Sequence, residues 1–367
     1  MRNAFTQTTD NRHFAQPGRL RIFALLMIVL LIISQTGCAS EKSKEPIRGE
    51  NYYLDTTCTV TVYGIKDANG KAVPAYKEKE KAAAAINKAF DRCAELDKTL
   101  SRTVEVSDIS RINNSDGEWT EVSQDTIDVI HLGMEYSHIS GGAFDITIGG
   151  VTELWDFHAD PEDARLPDPD ELAEAVKHVG FRGIAIDGNK VMLTDRGAKF
   201  DLGGIAKGYI GDRMAEVLEA EGVTSGIINL GGNVICIGGK PDGSDFVIGV
   251  EAPFSDRSEI VGKVNAKDKT LVTSGIYERK IEVDGKLYHH ILSTETGYSV
   301  DTDVVSVTLC ADKGRSCELD ALSTICLIKG SAEAMKLIEE MDGIEAFFIL
   351  DDGSTMQTSG MEIEPVK

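Results

Sequence analysis

Four stretches of this sequence concentrate residue types that can do chemistry. DLGGIAKGY, Asp201–Tyr209, places an acid, two adjacent glycines and a lysine where the chain enters a helix. Lacking Cβ atoms, Gly203 and Gly204 let another group approach the backbone closely. The helix start adds N–H groups, the positive end of its dipole and Lys207, a combination that suits a phosphate. It is not a Walker loop, because GxxxxGK[ST] is absent. An ordinary strand-to-helix turn with a solvated lysine would read the same way. In ELDALSTICLIKG, Glu318–Gly330, Asp320 and Thr324 are four apart and would share one helix face. Carboxylate, hydroxyl and a backbone carbonyl from elsewhere form a hard-oxygen set for Mg²⁺. A helix-start charge and a core-facing threonine are the plainer alternative.

The third stretch, GGAFDITIGGVTELWDF from Gly141 to Phe157, offers Phe144 and Trp155 as surfaces for a flat ring. Asp145 is an acceptor for a ring N–H, although core packing would explain both aromatics. In the fourth, Thr273–Val300, His289 and His290 end a strand, so only one can face inward. His290 could donate to a phosphate or accept a proton.

These stretches need elements to position them. TCTVTVYG, Thr57–Gly64, alternates like a strand. Lys79–Leu100 is helical, with Ile86, Phe90, Cys93, Leu96 and Leu100 at steps of three and four. A second helix starts after Ser123 and stops near Gly141-Gly142; a third opens at Asp168-Pro169 and ends at Gly180. Further helices run from about Ala206 to Glu221 and from Glu318 to Met341, the latter interrupted at Gly330. Asp187-Gly188, Asp284-Gly285 and Asp352-Gly353 read as hairpin turns. Adjacent hairpins imply mainly antiparallel sheet and an α+β fold.

The 367 residues carry a net charge of −22, which argues against a nucleic-acid surface. An anion site must therefore supply its own positive charge. Arginines precede the apolar run Ile22–Ile33, which is short for a membrane span of about 20 residues and fits a signal peptide. The expected organisation is a lipoprotein-type leader at 1–37, lipidation at Cys38, a polar linker at 38–50 and one domain at 51–367. Gln35 stands where such cleavage sites usually have Leu, and an uncleaved anchor is the other reading. Both place the domain outside the cytoplasm and tethered to a membrane. Of the 7 cysteines, Cys93, Cys236, Cys310 and Cys326 sit in apolar patterns, and a Cys310–Cys317 bridge stays open.

Taken in order, LSRTVEVSDISRIN, GGAFDIT, ELWDF, DLGGIAKGY, NLGGNV, TSGIYER, HHILSTETG and DALST resemble the ApbE-type FAD:protein FMN transferases. The resemblance spans nearly all of residues 51–350. It implies an α+β, T-fold-like architecture and Mg²⁺-dependent transfer of FMN from FAD to a Ser or Thr of an acceptor protein, releasing AMP. FAD hydrolysis to FMN and AMP, or flavin binding without catalysis, are the alternatives. The implied acceptors are membrane or extracytoplasmic redox flavoproteins.

Residue by residue, the resemblance makes Leu54 (commonly Met in the family), Ala143, Phe144, Asp145, Asp201, Lys207, His290, Ile291 and Ser323 FAD contacts. It makes the Gly204 carbonyl, Asp320 and Thr324 metal ligands, with Lys207, His290 and Asp320 as the catalytic set. Thr103, Asp156 and Ser293 depart from the family's usual aromatic, Gly and Asp. These departures touch flavin packing and leave the phosphate and metal positions intact.

Overall fold

The computed structural model describes residues 44–157, 160, 162–255 and 259–366. The leader at 1–37 and Cys38 lie outside the described residues. β1 (Ile47–Tyr53) pairs antiparallel with β2 (Thr56–Lys66), whose alternation buries Cys58, Val60 and Val62. β1 begins inside the stretch read as linker, because Ile47 already pairs with Val62.

These strands open a nine-stranded sheet with β3 (Ala72–Pro74), β7 (Val223–Leu230), β8 (Asn233–Ile237), β11 (Lys269–Gly275), β14 (Val304–Asp312), β15 (Ile344–Leu350) and β16 (Thr355–Gln357). Its order is β1-β2-β7-β8-β11-β14-β15-β16, with β3 on β2. Smaller sheets join β4 (Thr120–Glu121), β6 (Lys190–Leu193) and β5 (Ile184–Asp187), and β17 (Glu364–Pro365), β10 (Ile260–Ala266) and β9 (Phe246–Glu251). β12 (Lys280–Val283) and β13 (Lys286–His289) form a hairpin. Pairing within each sheet is antiparallel, as the succession of hairpins required.

Helix α1 (Lys79–Leu100) buries the expected stripe of Ile86, Phe90, Cys93, Leu96 and Leu100. Short α2 (Asp108–Asn113) follows, then α3 (Gln124–Ile139), where Ser123 accepts the Thr126 N–H as an N-cap. After α4 (Gly149–Thr152), α5 (Pro169–Val176) is capped by Asp168 and stops before Gly180, earlier than expected. α6 (Ala206–Ala220) and α7 (Ser316–Glu339) complete the set. Gly330 interrupts α7 at φ 74°, and Asp303 accepts the Ser331 N–H that restarts it.

α1, α6 and α7 pack in succession over one face of the large sheet. Cys236, Leu271, Cys310 and Phe347 on the other face meet Phe246, Val250 and Val264 of the β9–β10 sheet. Cys310 and Cys317 fall in these two separate clusters, and all six described cysteines are free. Asp284-Gly285 forms the expected tight turn, both residues left-handed. At the other two sites the turn differs: Asp187 pairs with Lys190, leaving Gly188-Asn189 to turn, and Asp352-Gly353 lies in a longer loop.

Candidate active site

The site forms where α6 crosses α7. A Cβ at Gly208 would collide with the Ser316 carbonyl, so the two backbones touch there. α6 has no cap from its own side chains. Its N–H groups turn instead to the protein: Ala206 donates to the Leu202 carbonyl at 2.8 Å and Gly208 to Asp320 Oδ2 at 2.9 Å. The Gly203 N–H is taken by Asp201 Oδ1 at 2.8 Å. These three N–H groups are therefore taken within the protein, while Gly203, Gly204 and Lys207 still line the cavity. A buried helix end must satisfy its donors internally, and here a carboxylate from the neighbouring helix does so.

Gly204 has a different reason for being glycine. A Cβ there would lie 3.0 Å from Phe144 Cε2 and 3.3 Å from Thr324 Oγ1. What approaches its backbone is the protein's own ring and hydroxyl. Thr324 donates to the Asp320 carbonyl one turn back at 3.4 Å, keeping its lone pairs available. Gly204, Thr324 and Asp320 thus assemble as one oxygen-bearing group. Among the described residues no three His, Cys, Asp or Glu side chains cluster for a metal. A cation here would rest on one carboxylate and complete its shell with neutral oxygens, water and phosphate. Mg²⁺ accepts that donor set.

These groups open on a cavity of about 580 Å³, a size ordinary for a ligand site. Lys207, His290, Ile291, Ala143, Phe144 and Leu54 line it, together with Asp320, Thr324 and Gly204. Leu54 and Asp55 both hold φ 56° in the turn that joins Tyr53 to Thr56. A leucine in the left-handed region is strained, and such strain gathers at functional sites.

Local bonds place the Phe144 segment. Ser140 Oγ accepts the Phe144 N–H at 3.0 Å, and Thr294 donates to the Gly142 carbonyl at 2.9 Å. Asn113 brackets the Phe200 backbone with two bonds, at 2.7 and 3.0 Å, and so anchors the entry to DLGG.

Three expected FAD contacts have other work. Asp145 lines the cavity, but its oxygens accept from Thr147 and the Phe181 N–H at 2.7–2.8 Å. Asp201 likewise holds Gly203, Thr152 and Arg102, the last at 3.0 Å. Ser323 is fully buried and off the cavity wall; its Oγ meets Ser274 Oγ at 2.8 Å and donates to the Asp320 carbonyl. Of the aromatic surfaces, Trp155 is tied to the Gly297 carbonyl and stacks on Phe157, and both line the cavity.

The strand-end histidines divide as alternation requires. His289 is buried, whereas His290 faces the cavity. His290 Nδ1 lies 3.2 Å from the Arg279 carbonyl, which can only accept, so Nδ1 carries the proton and Nε2 is left as acceptor. Burial pushes His290 down to about 4; the bond to the Arg279 carbonyl opposes this, while the charges of Arg279 and Lys207 add to it. Burial raises Asp320, and Lys207 and the Gly208 N–H oppose it.

The cavity also holds residues that pattern did not single out. Glu278 lines it, raised by the protein packed around it and drawn the other way by Lys207. Arg102 joins Asp201, and Arg279 reaches Asp55 at 3.5 Å. Their only sequence signal is membership of LSRTVEVSDISRIN and TSGIYER, because their roles arise from loops meeting in space.

An α+β body that opens a cleft lined by a buried carboxylate, a neighbouring hydroxyl, a lysine and a neutral imidazole defines an enzyme site for an anionic substrate. The ApbE family model matches residues 54–348, and the chain belongs to the ApbE family. A Treponema pallidum protein named FAD:protein FMN transferase is 28% identical over 91% of this chain and 93% of its own length. A Klebsiella pneumoniae protein of the same name is 31% identical over 66% of this chain and 75% of its own. The crystal structure of the ApbE protein from Thermotoga maritima superposes with TM-score 0.76 at 30% identity, covering 86% of this chain and 97% of that one. The apo flavinyl transferase ApbE of Pseudomonas stutzeri gives 0.71 at 28%, covering 86% and 95%.

Proposed function

We propose that this protein transfers FMN from FAD to a Ser or Thr hydroxyl of an acceptor protein, forming a phosphoester and releasing AMP. The observation that carries this reading is the convergence of Lys207, His290, Asp320 and Thr324 on one cavity beside Gly204. The names of the relatives supply the substrate class.

Asp320, Thr324 and the Gly204 carbonyl would hold Mg²⁺, which when bound supplies positive charge at the pyrophosphate. Lys207 binds the phosphates as a point charge and stabilises the negative charge that grows as the bond to AMP breaks. His290 Nε2 takes the proton of the acceptor hydroxyl. The hydroxyl oxygen then bonds to the FMN phosphorus, and the P–O bond to AMP breaks. Ala143, Phe144, Ile291 and Leu54 pack the flavin, while Asp145 and Asp201 shape the loops around it. The leader and Cys38 place the enzyme, on this reading, as a lipoprotein on the outer side of the bacterial cell membrane, where membrane or extracytoplasmic redox flavoproteins are its acceptors.

Asp320→Asn tests the metal arm. The amide keeps shape but loses charge, so transfer should fall on the order of a thousandfold and recover partly at high Mg²⁺. Chelation should stop the unmutated enzyme. Normal transfer by the variant, or by chelated protein, would refute this arrangement.

A further inference from the structure

Asn233 has no place in the chemistry above. It opens β8 and is gripped on both sides, opposite Leu230 of β7 and Val272 of β11. The preceding turn fixes it further, with Gly231 and Gly232 left-handed at φ 61° and 105°. A Cβ at Gly231 would meet Thr56 of β2, and one at Gly232 would lie 3.1 Å from the Thr273 carbonyl. Asparagine is a poor strand residue, and this one is 0% exposed. Neither Nδ2 nor Oδ1 makes a hydrogen bond of ordinary length and angle among the described residues, although the Asp320 carboxylate is near enough to feel the amide. Buried amides with both ends unpaired are rare enough to need a reason.

The surroundings supply one. Asn233 pairs with Val272, and two residues along β11 Ser274 Oγ meets Ser323 Oγ of α7. This end of the sheet thus faces the turn of α7 that bears Asp320. The Asn233 amide lies beside the Asp320 carboxylate, where a donor favours the charged form. Gly208 already fixes Asp320 Oδ2. A carboxylate held at one oxygen can still pivot, and a second donor on a rigid strand removes that freedom.

We infer that Asn233 is a positioning residue for the cation site: its Nδ2 group closes on the Asp320 carboxylate when a divalent cation draws that carboxylate into place. The inference deepens the metal reading proposed above and rests on it. Partners of this kind, one layer behind the ligand, are worth about 10- to 100-fold in metal affinity.

The test is a Mn²⁺ titration of the full-length protein without FAD, followed by electron paramagnetic resonance, on wild type, Asp320→Asn and Asn233→Leu. Asn233→Leu should bind Mn²⁺ about 10- to 100-fold more weakly. In chelator its unfolding midpoint should not fall, because an unpaired amide has been replaced by an apolar group of similar size. Wild-type Mn²⁺ affinity in Asn233→Leu, with Asp320→Asn impaired, overturns the inference alone. Wild-type affinity in Asp320→Asn overturns the metal reading and the inference with it. Should Asn233→Leu not fold, Asn233→Asp answers the question. It faces Asp320 with a second carboxylate, so its unfolding midpoint should rise more on adding Mn²⁺ than the wild type's. Equal rises overturn the inference.

Discussion

Asp212 and Asp320 exchange helix caps. Asp212 on α6 accepts the N–H groups of Ser316 and Cys317 at the start of α7, at 3.2 and 3.0 Å. Asp320 on α7 accepts the Gly208 N–H in the first turn of α6, at 2.9 Å. Each helix receives from the other the cap that its own N-cap residue does not supply. Two buried carboxylates therefore sit at the positive ends of two dipoles, and the crossing that carries the site depends on both.

The exchange predicts a pH signature. Burial pushes Asp212 up to about 6. A carboxyl raised in the folded state contributes stability that is complete below about 4 and is lost as pH rises through about 6. Urea unfolding of wild type and Asp212→Asn should show the difference moving by about 1 kcal/mol in favour of wild type from pH 7 to pH 5. Parallel pH profiles would show that Asp212 does not titrate there.

Gly208→Ala tests the contact itself. The new Cβ has no room against the Ser316 carbonyl, so the helices must part. Overpacking of this kind costs about 1–3 kcal/mol, and the separation should also weaken transfer by withdrawing Asp320 from Gly208. Unfolding and transfer assays together check this. A variant as stable and active as wild type would mean that the crossing is slack.

Much of this fold was legible because periodicity and caps are local. α1 has the bounds that its apolar spacing implied, and Ser123 and Asp168 cap the helices they preceded. Asp320 and Thr324 share a helix face as their spacing required, and His290 rather than His289 reaches the cavity. What was hidden depends on other segments. DLGGIAKGY signals a close approach without saying of what, and the answer at Gly204 is Phe144 and Thr324. Asp145, Asp201 and Ser323 read as ligand groups in the sequence, which does not show that each is also bonded within the protein. Glu278, Arg102 and Asn233 acquire meaning only when loops and sheet come together around α6 and α7.

His290 should act as a neutral base across the physiological range. Its lowered pKa of about 4 leaves Nε2 unprotonated well below pH 6, so the acid limb of the transfer rate should not fall near the ordinary histidine value of about 6.5. His290→Ala should slow transfer by about 10²–10⁴-fold. A rate that halves near 6.5 and follows His290 in the variant would contradict this environment.

Lys207→Ala should separate substrate binding from folding. Lys207 is half-buried in the first turn of α6 and faces the cavity. Losing a charge-assisted phosphate contact should cost about 1.5–3 kcal/mol of interaction, roughly 10- to 100-fold in FAD affinity or rate. Stability should change by less than about 1 kcal/mol, as for a residue outside the core. Unchanged FAD titration and transfer would reduce Lys207 to a solvated charge.

The central claim, that a protein hydroxyl receives FMN, is tested most directly by weighing the acceptor. The protein is incubated with FAD, Mg²⁺ and a candidate extracytoplasmic redox subunit, and intact-mass spectrometry follows the subunit while chromatography follows the nucleotides. The account predicts a mass gain on the subunit equal to one phosphoester-linked FMN, with AMP released in equal amount and no gain when the subunit's acceptor Thr is replaced by Ala. Release of both FMN and AMP into solution with no gain by any such subunit would contradict it, and so would FAD that stays bound and intact.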